Sequence, residues 1–501
     1  MLKRILSKLP QKTSKCVGSD CDINTQGSGK GDEVRCTSSG SVALNGLKVF
    51  KKVSAAIFPT SFAAGMELVE PHVSFNDVPN AIKQNLFLSK LNYCCLVQDS
   101  KGQGSDSEDY DRKRQVLLEL VEFVSSGSAK FTESAVSVLF KVCAVNLFRV
   151  FPPKDRSAFG GGEAEKEEPM YDPAWTHIQL VYDLLLHFIS HNSLDMKVSK
   201  KYIDCSFISR LIDLFDSEDA RERDCLKTIL HRIYAKFMIH RPFIRKSISN
   251  VIYHFVFETE RHNGIAELLE IFGCVISGFS LPLSGEHRTF LLRVLMPLHK
   301  PKSIGAYHQE LSYCIVQFIE KEQGLAKSVL KGLLKYWPVT NSQKELMFLS
   351  ELEEVLESSS MADFQEVMVP LFQRVTSCLT SSHYQVAERA HLLWNNKHIR
   401  DFVMPNRHVL LPIVIPALEL NTNSHWNRAV LNLTLNLKKM LCEMDTDLVA
   451  TCQGNNSMED STESSVEVSE EQIPTHEFSI PDANSRPSIV KSTALVELVA
   501  C

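Results

Sequence analysis

Hydrophobic positions along the middle of the chain recur with the period of a helix. Val116, Leu117, Leu120, Val121 and Val124 follow the i, i+1, i+4, i+5, i+8 spacing of a helix half buried in a core. Val136, Leu139, Phe140, Cys143, Leu147 and Phe148 continue the pattern. Asp172-Pro173 predicts a helix start, an N-cap acceptor followed by proline at the first helical position, ahead of Ile178, Val181, Leu185, Phe188 and Ile189. Ser342 and Glu345 read as a capping box before Leu346, Leu349, Leu352 and Leu356. About fifteen such segments, each of roughly 12–20 residues, fill the chain from Val69 to Glu443. The alternation expected of strands is missing throughout.

Helices in series with short connections admit a bundle or a stack of helix pairs. A single core rarely grows past ~250–300 residues, whereas antiparallel pairs spaced ~40–47 residues apart stack indefinitely. Such pairs can be outlined as Phe207–Phe215 with Leu226–Met238, Ile244–Phe257 with Ile265–Phe279, and Phe290–Leu298 with Tyr307–Ile319. The predicted fold is therefore all-α, a superhelical solenoid of HEAT-like antiparallel pairs over residues 69–443. Residues 1–68 and 444–501 are expected to be mostly disordered tails.

Charge sharpens that division. Residues 1–60 hold ten Lys/Arg against four Asp/Glu, a net +6, while residues 451–501 hold two against nine, a net −7. Both ends are too polar to offset the entropy of ordering. Leu2, Ile5, Leu6 and Leu9 share one helical face beside Lys3, Arg4 and Lys8, but nine residues give marginal membrane affinity, and a solvated basic tail is the favoured reading. The whole chain of 501 residues carries a net charge of −6, which disfavours a nucleic-acid coat. No apolar run reaches the ~18–20 residues of a membrane span, and Met1 to Pro10 does not read as a secretory signal. A soluble intracellular protein is expected.

Motifs for chemistry are few. The fourteen cysteines are scattered without a Cys-x-x-Cys, and Cys16 with Cys21 has no His nearby, so no zinc site is expected. Gly160-Gly161-Gly162 is followed by four glutamates, the wrong sign for a phosphate cradle. His231-Arg232 is followed by Ile233 where a kinase-type catalytic loop needs its Asp base. What stands out is polar. His231, Arg232, Tyr234, Lys236, His240, Arg241 and Arg245 lie close in sequence, followed by Glu267, Glu270, Ile271 and Val275, then Glu286-His287-Arg288. On a solenoid, corresponding faces of successive helices line one groove, here with an apolar floor and basic rims suited to an acidic peptide. From charge pattern alone the favoured reading is solvated helix faces with Lys and Arg stems lying over the core.

Five stretches carry a family resemblance: Phe215-Asp-Ser-Glu-Asp-Ala-Arg-Glu-Arg-Asp224, Leu230-His-Arg-Ile-Tyr234, His262-Asn-Gly-Ile-Ala-Glu-Leu-Leu-Glu-Ile271, Leu334-Lys-Tyr-Trp-Pro338 and Gln385-Val-Ala-Glu-Arg-Ala390. They resemble the B-prime regulatory subunits of protein phosphatase 2A over about Glu70 to Glu443, and the basic start is similar to plant members. The resemblance implies a HEAT-like superhelix and a non-catalytic subunit without cofactor or metal. It also implies partners: a scaffold subunit, a metal-dependent Ser/Thr phosphatase catalytic subunit, and substrates or adaptors bearing Leu-x-x-Ile-x-Glu motifs. By the same resemblance His231, Arg232 and Tyr234 match the wall meeting the motif's first half. Ile271 and Val275 match the pocket for its Ile, with Thr228 and Glu270 beside them. Arg241, Arg245 and His287 match basic positions facing the peptide's acidic residues. Ser284 departs from the pattern, since family members usually carry Lys there. The pair around Trp337 and Glu351 to Glu354 resembles the region facing the other subunits. The location expected is the cytoplasm, with the nucleus left open. Another helical-repeat adaptor or transport scaffold would share the helix pairs but not the five stretches.

Overall fold

A helix with one apolar face is stable only against a second such face, and a long series of them settles into layers. The structure, a computed structural model, describes residues 73–95, 106–127, 129–151, 171–192 and 194–459. Its helices are α1 (Asn80–Cys94), α2 (Asp106–Ser125), α3 (Glu133–Leu147), α4 (Trp175–Ser190), α5 (Met196–Tyr202), α6 (Cys205–Asp213), α7 (Ala220–Lys236), α8 (Arg241–His254), α9 (Ile265–Ser277) and α10 (Gly285–Phe290). There follow α11 (His308–Lys321), α12 (Ala326–Lys335), α13 (Ser342–Glu357), α14 (Met361–Gln365), α15 (Met368–Leu379), α16 (Tyr384–Leu392), α17 (Lys397–Val403), α18 (Arg407–Ser424), α19 (Arg428–Met444) and α20 (Thr446–Glu459). No strand occurs among the described residues.

Packing sorts these helices into two layers. One layer runs α2, α4, α7, α9, α11, α13, α16, α19, each against the next. In the other, α1 packs on α3, α6 on α8, and α12, α15, α18 and α20 follow one another. Pairs such as α6 with α7, α12 with α13 and α15 with α16 tie the layers together around one continuous apolar core. This is the repeat solenoid that the spacing predicts. The three outlined pairs coincide with α6/α7, α8/α9 and the segment beginning at α10 with α11. The first element of that last pair is broken: α10 continues as a wide turn over Leu291–Leu295 and a tight one over Met296–His299, where Pro297 cannot supply a helical N–H.

Two predicted helix starts move. Asp172 does accept from the Ala174 N–H at 2.8 Å, but the helix itself opens at Trp175. The capping box at Ser342 is not formed. Asn341 is the N-cap and accepts from the Lys344 N–H, while the Glu345 carboxylate turns inward to accept from the buried Trp337 indole at 2.7 Å. A buried indole N–H without an acceptor costs more than one extra cap interaction. Past Glu443, the predicted domain end, α20 packs on α18 with Val449 buried. Its few apolar positions, Leu448, Val449 and Cys452, lie in a polar stretch and give little periodic signal. The basic N-terminal start, the triple glycine, Cys16 with Cys21, and the acidic chain after Glu459 fall outside the described residues.

The first and third family-like stretches prove to be one structural joint. Asp216 accepts from the Asn263 N–H at 3.0 Å, and the Asn263 amide donates to the Asp216 carbonyl at 2.9 Å. Asp219 caps α7 through the Arg221 N–H, and Arg223 reaches across to Glu267 at 2.8 Å. Gly264 sits under this joint. A Cβ there would run into the Phe215 carbonyl oxygen and lie 2.9 Å from the Phe215 Cβ. With Asn263 tied down, α9 cannot back away. Gly264→Ala is expected to cost about 1–3 kcal/mol and lower the thermal midpoint by several degrees, as overpacking does. A melt superposable on wild type would show that the joint yields.

Candidate functional site

The polar cluster gathers where α7 and α9 end and the elements that follow them, α8 and α10, begin. Tyr234 lies in the last turn of α7, and a short turn over Met238–His240 leads into α8, where Pro242 fits the first turn. Arg241 and Arg245 are therefore one turn apart at the start of α8, and both come back to Tyr234. The Arg241 Nε donates to the Tyr234 carbonyl at 2.9 Å, and its guanidinium lies 5.2 Å from the centroid of the Tyr234 ring. Arg245 donates to the Tyr234 hydroxyl at 3.2 Å. The tyrosine is 8% exposed, its hydroxyl and carbonyl both satisfied by these two arginines.

The next repeat repeats the geometry. Ile271 and Val275 are turned into the core on α9, at 2% and 7% exposure. The chain then passes Phe279 and enters α10, capped by Ser284, whose hydroxyl accepts from the His287 N–H at 3.3 Å. Ser284 therefore has a local job that a Lys could not do. The His287 ring stacks on Phe279 at 3.6 Å between centroids. Glu286 projects back to Arg245, with carboxylate oxygens 2.9 and 3.2 Å from Nη2.

Ion pairs bind the repeats along this stretch. Lys227 meets Glu270 at 2.8 Å and Asp224 at 2.7 Å, and Thr228 donates back to the Asp224 carbonyl at 3.1 Å. Lys227 and Phe279 are the partners that sequence reading left out; Lys227 lies one turn before His231 on the same helix, which is the signal that could have found it. His231 is half-buried and Arg232 exposed, with Ile233 in the core between them and Tyr234. The structure thus joins Tyr234, Arg241 and Arg245 directly, and ties Arg245 to Glu286, the residue before His287. Thr228 and Glu270 meet through the Lys227–Asp224 pair, and His231 and Arg232 stand beside them on α7.

Electrostatics divides the basic residues. Burial, then the neighbouring Arg232, pushes His231 below its ordinary 6.5. Burial, then Arg245, does the same to His287, against the pull of Glu286. Both imidazoles are neutral at pH 7, so the positive charge rests with the arginines and Lys227. Burial pushes the Cys94 thiol up to about 12, away from the thiolate form that reacts. Among the described residues no three His, Cys, Asp or Glu converge as a metal site, and no helix is long and apolar enough to cross a membrane. Trp337 and Glu351 lie inside the fold at 7% and 0% exposure, so the stretch resembling a subunit-facing region presents other side chains outward.

Residues 72–475 match the family described as protein phosphatase 2A regulatory B subunit (B56 family). Over 458 residues the chain is 58% identical to the B' kappa isoform of the 57 kDa serine/threonine protein phosphatase 2A regulatory subunits in Oryza sativa subsp. japonica, covering 90% of this chain and 89% of that one. It is 57% identical over 453 residues to the B' kappa isoform of Arabidopsis thaliana, covering 90% of each. The B' theta isoform of Arabidopsis thaliana is 51% identical over 473 residues, 93% of this chain and 95% of that one. These relatives are named as regulatory rather than catalytic subunits, and the fold, the joined sequence stretches and this similarity agree that the chain belongs to the B56 family of protein phosphatase 2A regulatory B subunits.

Proposed function

We propose that this regulatory subunit joins a scaffold subunit and a Ser/Thr phosphatase catalytic subunit, and recruits substrates through short acidic peptides of Leu-x-x-Ile-x-Glu type. The peptide docks along α7, α9 and the starts of α8 and α10. The observation that carries this reading is the linked set of Tyr234, Arg241 and Arg245, held at an inter-repeat junction with exposed Arg232 two residues before the tyrosine. Fixed guanidinium groups on a rigid frame suit carboxylates, because the fork geometry is already in place before the ligand arrives. Ile271 and Val275 supply the apolar side of the same junction, and His231 and Tyr234 its aromatic wall. Catalysis belongs to the partner, and this chain sets what the partner meets.

Affinity purification of the tagged chain followed by mass spectrometry tests the assembly. Recovery of scaffold and catalytic subunits is the expected outcome, and their absence from repeated purifications overturns it. The docking half is tested by titrating a labelled Leu-x-x-Ile-x-Glu peptide. Affinity is expected to weaken as ionic strength rises, because part of the attraction is screened. It should be flat between pH 7 and 8, where both His231 and His287 are neutral, and increase on acidification below their ordinary 6.5 as each gains charge. A response flat in salt would mean that the basic groups do not meet the peptide.

A further inference from the structure

Arg245 is already occupied by an acid. Its Nε and Nη2 both reach Glu286 Oε1, at 3.1 and 2.9 Å, and Nη2 also reaches Oε2 at 3.2 Å. Its remaining nitrogen, Nη1, donates to the Tyr234 hydroxyl. The guanidinium fork is therefore used in the way a ligand carboxylate would use it.

The two ends of the pair differ. The Arg245 side chain is 16% exposed and the Glu286 side chain 61% exposed. By contrast, the two pairs that link α7 to α9 are more evenly covered: Arg223 and Glu267 at 15% and 14%, Lys227 and Glu270 at 22% and 32%. Arg245 is fixed by its buried stem and by Tyr234, whereas Glu286 reaches in from solvent at the start of α10. Withdrawing a largely hydrated carboxylate into water costs little. The latch can open on the Glu286 side while the arginine stays in place.

Resting on the docking reading above, we propose that Glu286 is an internal competitor for the acidic peptide. It holds the Arg245 fork in the free protein and is displaced by the incoming carboxylate. Glu286 thereby sets how acidic a peptide must be to dock, and neutral look-alikes gain nothing from Arg245. The competition is one-for-one in charge, so the site changes ligand without exposing an unpaired buried arginine.

The test uses the full chain, with Glu286→Gln, Arg245→Gln and the double variant, against two labelled peptides: one of Leu-x-x-Ile-x-Glu type, and the same peptide with its Glu replaced by Gln. Glu286→Gln is expected to bind the acidic peptide roughly three- to tenfold more tightly at low salt, the range of exposed to partly buried ion pairs. It should leave the neutral peptide unchanged, and the gain should vanish in the Arg245→Gln background. Unchanged or weaker binding of the acidic peptide by Glu286→Gln, with an unaltered thermal melt, overturns the proposal. A gain that persists without Arg245 also overturns it, since Glu286 would then act only by repelling the ligand. If neither wild type nor Glu286→Gln binds the acidic peptide, the docking reading itself falls and takes the competitor with it. If only Glu286→Gln binds, the competition is stronger than expected and the proposal stands.

Discussion

Arg232→Glu is expected to abolish docking of a Leu-x-x-Ile-x-Glu peptide while leaving assembly with the scaffold and catalytic subunits intact. Arg232 is exposed on α7, two residues before buried Tyr234 and next to His231. Its neighbours in the cluster are engaged: Lys227 by Glu270, Arg241 by the Tyr234 carbonyl, Arg245 by Glu286. Among the described residues no carboxylate pairs with Arg232, which leaves its guanidinium the cation most available to a ligand. A hydrogen bond to a charged group contributes about 1.5–3 kcal/mol, so its loss weakens binding roughly ten- to a hundredfold. Reversing the charge adds repulsion and takes affinity lower. Burial of His231 and the charge of Arg232 both hold that imidazole neutral; a glutamate would favour its protonation, but one partial charge does not offset a reversal. Fold and assembly survive because an exposed side chain off the core alters stability by less than ~0.5 kcal/mol. One variant with two readouts decides it. Wild-type affinity for the peptide would remove Arg232 from the docking surface, and loss of co-purification as well would trace the defect to the fold.

The layered fold was legible because its signal is redundant. A helix packed in these layers announces itself by an apolar stripe, as in α4, and a repeat spacing needs only a few such helices to show. Local details were less legible where two uses of one side chain compete. Glu345 fits a capping box in sequence, yet a distant indole, Trp337, claims it in the fold. Glu351 falls in a stretch that resembles the region facing the other subunits, yet it is fully buried against two histidines from other elements. The site divides in the same way. Arg241, Arg245 and Tyr234 are close in sequence and their linkage is short-range, whereas the Arg245–Glu286 latch spans 41 positions and cannot be read from spacing. Charge counts treat those two residues as independent rim groups, and only the fold shows that they neutralise each other.

Glu351→Ala is expected to cost the fold about 3–5 kcal/mol, as when one partner of a buried, hydrogen-bonded pair is removed. Glu351 and His299 are both fully buried. The His299 Nε2 lies 3.0 Å from each carboxylate oxygen, and its Nδ1 lies 2.9 Å from the Met296 carbonyl. His299 thus faces an acceptor on each side, the Met296 carbonyl at Nδ1 and the Glu351 carboxylate at Nε2. His308 adds a third contact at 2.9 Å. Burial pushes the Glu351 carboxyl up, but His299 and then His308 outweigh it and hold it at about 2, below its ordinary 4.5. A group depressed in this way gives its stability in full above about pH 4.5, and that stability drains as pH falls toward 2. Alanine leaves the buried His299 Nε2 and the His308 Nε2 without the carboxylate they face, whereas glutamine keeps the volume and one acceptor and should cost less. Thermal melts at pH 7, 5 and 3 separate these contributions: wild type should lose stability steeply at the acid end, while Glu351→Gln should start lower and fall less between pH 5 and 3. Because repeats couple mainly to their neighbours, peptide affinity at α7 and α9, separated from α13 by α11, should change far less than the melting temperature. If Glu351→Gln instead melts with wild type at pH 7, the ionised carboxylate contributes nothing to the fold.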